Sequence, residues 1–398
     1  MLNSRRSFLA GLGGALAGCQ SGTNSPTEPA MTLAEFEPRS MLVTENHPVS
    51  RAKFPAIDVH AHLIFAGGLR RASEGTEPPT VTPPAQLQQI VGWMEELNLE
   101  TLLNLTGGWG YELDYSVEAL AGQHPGRFLV CTEPAYSEIQ RDNYPQWQAD
   151  EIARAKESGA VGIKVLKTLG LYLRENITQG KLVNIDDPRF DPMWETAGKL
   201  GMPIFIHTAD PDAFFTPTDR FNERWEELGN HPDWSFYGAD FPSKVELLRQ
   251  RNNVIERHPN TKFVGLHMGN HPEDLSDVAG WLDRYPNFFV ETGARLGALG
   301  RQPRATRRFF ERYQDRILFG TDAVPLPQGE QTPQQVLKPE MFQAYFRFFE
   351  TEDEYFDYSP AKTPPQGRWK VSGIGLPDEI LREVYAGNAR RVLGLAEA

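Results

Sequence analysis

The sequence predicts an α/β fold, a (β/α)8 or TIM barrel with long loops after strands 5 and 8, from three observations. Short apolar runs alternate with stretches of helical spacing from about residue 54 onward. Eight such pairs are present, and this alternation is typical of parallel βαβ units. The apolar runs are continuous, as expected for strands covered on both faces. At 398 residues, 40% of them hydrophobic, the chain is long enough for one barrel with insertions.

The expected strands share turn signals, because Gly, Pro or Asn stands just before several of the apolar runs. In chain order we expect strands at 56–60, 101–105, 127–131, 162–166, 204–207, 263–267, 288–291 and 317–319. Helices are expected between them, with apolar side chains three and four positions apart, near 87–97, 117–122, 151–156, 192–200, 245–255, 275–284 and 305–313. A last helix over 378–395 is expected to break at Gly387, with Asn388 capping a final turn.

Two connections are longer than a barrel needs, 208–243 after strand 5 and 323–377 after strand 8. In this fold both emerge on the C-terminal face, where active sites are built. Both are rich in aromatic residues, which we expect to pack on each other into a small core of their own. A lid or an oligomer contact is the alternative.

The N-terminus is expected to be an export signal. Residues 4–9 read Ser-Arg-Arg-Ser-Phe-Leu, an apolar stretch too short to span a bilayer follows, and residues 16–19 read Leu-Ala-Gly-Cys. The first motif resembles a twin-arginine signal and the second a bacterial lipobox. The resemblance implies a signal peptide over 1–18, a lipidated Cys19 with a tether to residue 45, and a barrel over 46–398 in the cell envelope or periplasm. A disordered tail with a chance Arg pair is the alternative.

The net charge and the number of cysteines exclude some binding partners and an internal disulfide. A formal net charge of −13 argues against nucleic acid, which is bound by basic surfaces. If Cys19 is lipidated, Cys131 stands alone and no internal disulfide is expected. The expected partner is a small-molecule substrate, with the lipid anchor as the membrane contact and a homo-oligomer left open.

Five residues at the ends of strands predict a metal site. His60 and His62 are separated by one residue of strand 1 and project from the same face. His207, His267 and Asp322 end or follow strands 5, 6 and 8. Each histidine alone is better explained as a hydrogen-bonded core or loop residue. Because strand ends converge on the mouth of a barrel, all five at matching positions indicate one site.

Imidazole nitrogen and carboxylate oxygen suit zinc, and also manganese, iron or cobalt. We therefore expect one divalent ion, zinc first, in an open catalytic site that activates water. Asp322 is the expected proton acceptor and donor for that water. His267 is expected to polarise the substrate or to shuttle a proton from the other side.

The motifs resemble the amidohydrolase superfamily over about 54–395. Asp-x-His-x-His at 58–62, the histidines after strands 5 and 6, and Gly-Thr-Asp at 320–322 are similar to its signature, in order. Gly-Asn-Ala-Arg-Arg at 387–391 resembles the C-terminus of the branch that includes carboxymuconate-semialdehyde and resorcylate-type decarboxylases. The resemblance implies one metal held by His60, His62, His207 and Asp322, with His267 catalytic outside the ligand set.

Lys164 at the end of strand 4 keeps the number of metal ions open. In binuclear members of the superfamily a carboxylated lysine from this strand bridges two ions, and His207 and His267 would then bind the second. A salt-bridged or substrate-facing lysine with a catalytic role is the preferred interpretation, and a structural role is the third. Lys167 is assigned to the following loop.

The expected substrate-binding wall consists of Trp109 after strand 2 and of Glu291 and Arg295 after strand 7, with Glu133 after strand 3. Arg295 suits a substrate carboxylate, which a guanidinium binds through two parallel hydrogen bonds. Pairing with Glu291 or with an acidic loop is the alternative.

These observations together predict a metal-dependent hydrolase that cleaves an amide, lactone or other ester-like bond of a small molecule. Non-oxidative decarboxylation or hydration of a small carboxylic acid is the alternative among enzymes. A surface lipoprotein that retains the barrel for binding without turnover is the alternative outside them.

Overall fold

The computed structural model describes residues 31–32, 35, 38–66, 80–325, 335–361 and 365–396. It divides into two units, Met1–Val43 and Thr44–Ala398. The described residues of the first unit form no helix or strand. The expected export signal and Cys19 lie outside the described residues. Within the described ranges, no helix is both long and apolar enough to cross a membrane.

Eight parallel strands of the second unit form one sheet in which neighbours along the chain are neighbours in space. The strands are β1 Ala56–Ala61, β2 Leu99–Asn104, β3 Phe128–Thr132, β4 Gly162–Val165, β5 Ile204–Ile206, β6 Phe263–Gly265, β7 Phe288–Glu291 and β8 Ile317–Leu318. Backbone bonds close the sheet, since Val59 N donates to Phe319 O at 3.0 Å and His62 N to Ala323 O at 2.8 Å. The predicted (β/α)8 barrel is confirmed.

Helices run between consecutive strands and around the sheet: Pro84–Leu97, Tyr111–Val117, Tyr144–Glu157, Asp191–Lys199, Lys244–Arg257, Leu275–Arg284, Pro303–Arg312 and Pro339–Glu350. The helix Pro84–Leu97 shows why they form. Proline at its first turn fixes φ where no N–H partner is needed, and Leu87, Ile90, Met94 and Leu97 form one buried stripe. Asn98 ends the helix in the left-handed region at φ 62°.

Shorter elements occupy the loops. The short helices are Thr168–Leu171, Trp225–Asn230, Leu266–Gly269 and Leu296–Leu299, and the 3-10 turns are Tyr136–Glu138, Pro188–Phe190, Asp212–Phe215 and Pro232–Trp234. Two hairpins pair Ile64–Phe65 with Thr80–Val81 and Arg174–Asn176 with Gln179–Leu182. The long loop after β5 thus contains a helix and two 3-10 turns rather than extended chain.

The core has two layers. One lies between the sheet and the surrounding helices, and a smaller one fills the barrel. Ile57, Phe205 and Leu318 belong to the inner layer, as do Val392 and Leu393 from the C-terminal segment. The C-terminal segment therefore contributes to the packing inside the barrel.

The C-terminal segment differs from its predicted break at Gly387. It runs as Asp378–Arg382, a π-helix Glu383–Gly387 and Asn388–Leu393, with Gly387 in helical conformation at φ −55°. Asn388 does not cap a turn, because its Nδ2 donates to the carbonyls of Gln314 and Ile317, both at 2.7 Å. Since these carbonyls lie at the start of β8, the side chain ties the segment to the barrel.

The aromatic residues after β8 do not form a separate core. Phe342, Tyr345, Phe346 and Phe349 lie on one face of the helix Pro339–Glu350 and join the main core. Their spacing of three, one and three is that of a helix, and this signal was available in the sequence. The prediction of a small core of their own was wrong for this loop. These residues form the eighth outer helix of the barrel, and they pack against the main core for that reason.

Candidate metal and active site

His60 and His62, at the end of β1, face one carboxylate. His60 Nε2 and His62 Nε2 are 3.2 Å apart, and Asp322 Oδ1 lies 3.0 Å from the first and 3.1 Å from the second. Strand periodicity aligns the two histidines, and parallel bonding between the ends of β8 and β1 brings Asp322 alongside. The structure thus brings three of the predicted ligands together.

Hydrogen bonds fix the tautomers of both histidines. His60 Nδ1 donates to Glu291 Oε1 at 3.1 Å, so the neutral ring carries its lone pair on Nε2. His62 Nδ1 donates to Thr106 Oγ1 at 3.0 Å, because that hydroxyl gives its own proton to a backbone carbonyl at 2.7 Å. Oriented in this way, both rings present Nε2 toward Asp322. Such outer partners commonly orient histidines that bind metals.

His267 lies in a left-handed turn that follows β6. His267, Met268 and Asn270 have φ values of 56°, 57° and 59°, and the strand ends at Gly265 instead of continuing through His267 as predicted. His267 N donates to Glu291 Oε1 at 2.5 Å, and its Nδ1 donates to Gly293 O at 2.8 Å. Left-handed backbone is costly for residues other than glycine, and such strain is concentrated at functional sites.

The arrangement of acceptors fits a metal ion. One ligand atom each from His60, His267 and Asp322 lies within 4.8 Å of the others, and His62 Nε2 contacts two of these residues. Lone pairs and a carboxylate oxygen repel each other at such distances unless a positive charge stands among them. Nitrogen and oxygen ligands of this kind suit zinc or manganese.

Burial keeps most of these imidazoles neutral. It lowers the pKa of His62 to about 4 and that of His267 well below its ordinary value. Burial also lowers the pKa of His60, but the Asp322 and Glu291 carboxylates outweigh it and the net shift is upward. Although burial acts to raise it, the pKa of Asp322 is held well below its usual range by His60 and His62.

His207 lies beside this group but faces elsewhere. Its ring packs against His267 with centroids 4.5 Å apart, while its Nε2 lies 3.3 Å from Asp210 Oδ1. Lys167 Nζ donates to the other oxygen of Asp210 at 2.6 Å. His207 is not among the clustered ligand atoms, and its placement in the ligand set stays a prediction.

Asp58, the first residue of the Asp-x-His-x-His motif, is a positioning residue. Its Oδ1 accepts from the backbone of His60 at 2.9 Å and of Thr321 at 3.1 Å, and its Oδ2 accepts from the Thr321 hydroxyl at 2.5 Å. The carboxyl is fully buried, and burial raises its pKa to about 7. Asp58 thereby joins the two strands that carry the predicted ligands.

A cavity of about 430 Å³ opens at this end of the barrel. His62, His267 and Asp322 lie in its wall together with Lys164 and Arg295. Lys164 is 1% exposed, and burial lowers its pKa to about 8. Among the described residues, none forms a hydrogen bond or ion pair with its ammonium, so the substrate-facing interpretation fits better than the salt-bridged one. Its catalytic role stays a prediction.

Three expected wall residues, Glu291, Trp109 and Glu133, lie outside the cavity lining, and Glu133 Oε2 accepts from Gly108 N at 3.0 Å. Glu291 is fully buried and accepts from His60, His267 and Gly293, so it orients the site, and among the described residues no ion pair joins it to Arg295. Trp109 packs edge-on against Trp147 with centroids 5.8 Å apart. All three residues lie at or just after the end of a strand, as predicted. Position along the strand does not specify whether the side chain points into the cavity or away from it.

Sequence reasoning missed four polar residues that shape the site. Thr106 orients His62, and Asn270 Oδ1 accepts from Thr208 N at 2.9 Å, which holds the start of the long loop. The loop itself contributes Asp210 and Arg224 to the cavity wall. Thr106 was open to prediction because it follows β2 at the same barrel end, whereas the loop residues lacked any regular spacing.

Fold and site together define a class: a parallel barrel with a histidine and carboxylate cluster at the C-terminal ends of its strands. The family model described as amidohydrolase matches residues 57–395. The chain belongs to the amidohydrolase family, and the superfamily resemblance of its motifs is confirmed. None of the curated proteins matches the chain significantly.

Solved structures share the fold. The 2,6-dihydroxybenzoate decarboxylase from Rhizobium has 16% identity and a TM-score of 0.51, over 86% of this chain and 99% of that chain. A dihydroxybenzoic acid decarboxylase from Polaromonas sp. JS666, with bound manganese and the inhibitor 2-nitroresorcinol, has 16% identity and a TM-score of 0.51, over 87% and 98%. At this identity the likeness extends to the fold alone.

Proposed function

We propose that the chain is a metal-dependent hydrolase that cleaves an amide, lactone or other ester-like bond of a small molecule. One observation carries the proposal: imidazole nitrogens and the Asp322 carboxylate converge in the wall of a cavity of about 430 Å³. A cavity of this size suits a small substrate.

The residues that would hold the ion are His60, His62 and Asp322, with His207 or His267 completing the set. One divalent ion, zinc first and manganese next, would supply Lewis acidity for the carbonyl group and lower the pKa of water. A second ion would require a carboxylated Lys164.

The chain's own residues supply proton transfer and charge. The Asp322 side chain is 22% exposed and ionised, so it can accept a proton from water and return it to the leaving group. The Lys164 ammonium, which forms no hydrogen bond or ion pair with the described residues, can stabilise negative charge that develops on the substrate oxygen. His267 uses its Nδ1 proton for Gly293 O, so its Nε2 is an acceptor toward the substrate or the ion.

The test combines metal analysis with an assay for acid release from lactones and N-acyl compounds. We expect about one equivalent of metal per chain and turnover that is lost on chelation. Asp322→Asn is expected to lower kcat about 10²- to 10⁴-fold, whereas Asp315→Asn, an exposed aspartate before β8, leaves it unchanged. A folded preparation that binds no metal would refute the proposal, and two equivalents that Lys164→Ala reduces to one would replace the mononuclear site.

A second candidate is non-oxidative decarboxylation of a small carboxylic acid. Arg295 favours it, because this buried cation in the cavity wall suits a substrate carboxylate. The two structures with the same fold are described as dihydroxybenzoate decarboxylases, which makes hydroxybenzoates the first compounds to assay. Release of carbon dioxide in place of hydrolysis products would decide for this candidate.

We also propose that the protein is exported by a twin-arginine route and anchored in the bacterial cell envelope through a lipid on Cys19. The support is the order of motifs in the sequence, an Arg pair, a short apolar run and Leu-Ala-Gly-Cys.

A further inference from the structure

Two arginines from different loops lie in the same cavity wall. Arg224 comes from the long loop after β5, one residue before the helix Trp225–Asn230, and Arg295 follows β7. Their residues are 2% and 4% exposed, so both guanidinium groups lie in surroundings of low dielectric constant. Charges in such surroundings need opposite charges or a ligand.

The protein supplies fewer negative than positive charges at this place. Arg224 Nη1 donates to Glu227 Oε2 at 2.8 Å, whereas Arg295 Nη1 donates to the carbonyl of Ala294 at 2.9 Å. The Nε atom of each arginine is buried without an acceptor. Among the described residues, no carboxylate lies within ion-pair distance of Arg295. Of these two guanidinium groups, only that of Arg224 is ion-paired with a carboxylate among the described residues, so the charge of Arg295 is available to an anionic ligand.

Arg224 is held in place by its own loop and by the other long loop, the one after β8. Its guanidinium carbon lies 5.6 Å from the ring of Trp369, and its backbone N–H donates to Asn222 Oδ1 at 2.8 Å. Glu226, two residues after Arg224, forms an ion pair with Arg368 of the other long loop at 2.8 Å. Because the cation is positioned before any ligand arrives, little ordering is required on binding.

We propose that Arg224 and Arg295 form an anion subsite that binds a carboxylate group of the substrate. The substrate is then a small acid that carries a carboxylate besides the bond to be cleaved. Glu227 in the same wall disfavours a dianion such as phosphate, because two positive charges and one negative match a single negative charge. Planar guanidinium groups also match the planar carboxylate. This assignment of substrate class rests on the proposed function, whereas binding of the anion does not.

The probe is benzoate, with benzamide as a neutral compound of the same shape. Calorimetric titration of the full chain is expected to show binding of benzoate and at least tenfold weaker binding of benzamide. Arg224→Gln and Arg295→Gln are each expected to weaken benzoate binding about tenfold or more. Arg312→Gln removes an equal charge outside the cavity lining, from an arginine paired with Asp283, and is expected to leave binding unchanged.

Titrations before and after chelation distinguish this subsite from the metal site. Benzoate binding that survives chelation and depends on both arginines supports the subsite, even if no hydrolysis is found. Binding that chelation abolishes and the two substitutions leave intact overturns the proposal, because the carboxylate then sits on the metal. Hydrolysis of lactones or N-acyl compounds without arginine-dependent benzoate binding would likewise overturn the subsite and leave the proposed function standing. Circular dichroism of each variant checks that it is folded.

Discussion

At the residue scale, Glu291 connects the predicted ligands to each other. Its carboxylate accepts from His60 Nδ1 and from the backbones of His267 and Gly293, and it is fully buried. The sequence placed it correctly at the end of β7, whereas its predicted contact with substrate stays a prediction. The direction of the Glu291 side chain depends on the hydrogen-bond donors around it. Two of these donors are His60 in β1 and His267 in the turn after β6.

We predict that Glu291→Gln weakens metal binding about 10- to 100-fold, since an amide cannot accept all three bonds and one donor loses its partner. The free energy of unfolding should fall by about 3 kcal/mol or more, as for other broken buried charge pairs. Competition titration with a chelator and urea denaturation measure the two quantities. Equal metal affinity in wild type and variant would remove Glu291 from the site.

Lys164 makes stability depend on pH in a defined direction. Burial lowers its pKa to about 8 from the ordinary value of 10.5. Below about pH 8 the folded protein therefore buries a charged ammonium at a cost, and the cost disappears as pH rises toward 10.5. We predict that Lys164→Met, in chelator-treated protein, raises the free energy of unfolding at pH 7 by about 3 kcal/mol and that the gain shrinks above pH 8.

The control for this change is Lys199→Met, because the Lys199 side chain is 75% exposed and its substitution should alter stability little at any pH. Urea denaturation at several pH values measures both variants. A Lys164→Met gain that is absent at pH 7, or that grows above pH 8, would contradict the inference that the cost of burying this cation exceeds the attraction of nearby carboxylates. The same substitution should lower turnover.

At the scale of elements, the eight strands were predictable to within about two residues because parallel strands covered on both faces are apolar throughout. The shortening of β6 was not predictable, since His267, Met268 and Asn270 are ordinary side chains that tertiary bonds hold in left-handed conformation. The helix Pro339–Glu350 was missed although its aromatic spacing is helical.

The left-handed turn after β6 can be tested at Asn270, whose side chain bonds the backbones of Thr208 and Ala209. Asn270→Gly removes both bonds but tolerates φ 59°, and should lower the free energy of unfolding by about 2 kcal/mol. Asn270→Ala adds the cost of left-handed backbone and should lower it by about 1 kcal/mol more. Urea denaturation measures the stability of the two variants. Equal stability would contradict the prediction, because it would mean that the backbone of Asn270→Ala leaves the left-handed conformation at little cost.

At the scale of the whole molecule, barrel and site location followed from sequence because the fold itself brings strand ends together. Residues as far apart as His60 and Asp322 are neighbours for that reason alone. The cavity wall contributed by the long loops did not follow, since Arg224 and Asp210 are placed by irregular chain and by contacts with other loops. Substrate preference therefore depends on the part of the chain with the weakest sequence signal.

The expected anchor predicts where the whole protein is found. Cys19→Ala should move it from the membrane fraction to the soluble fraction, because the lipid has no other attachment point in the lipobox. Cys131→Ala, which removes the buried free cysteine of β3, should leave it in the membrane fraction. Cell fractionation with detection of the protein in each fraction decides, and an unchanged distribution of Cys19→Ala would refute the anchor.

The C-terminal segment places Val392 and Leu393 in the apolar packing inside the barrel, opposite the ends of the strands that carry the histidines. Among the described residues, this packing fills the barrel away from the cavity, so we expect substrate and product to pass through the same opening at the C-terminal ends of the strands. A product acid that keeps its carboxylate still fits the arginine wall. We therefore expect competitive product inhibition, with slow release of the acid limiting the rate when product accumulates.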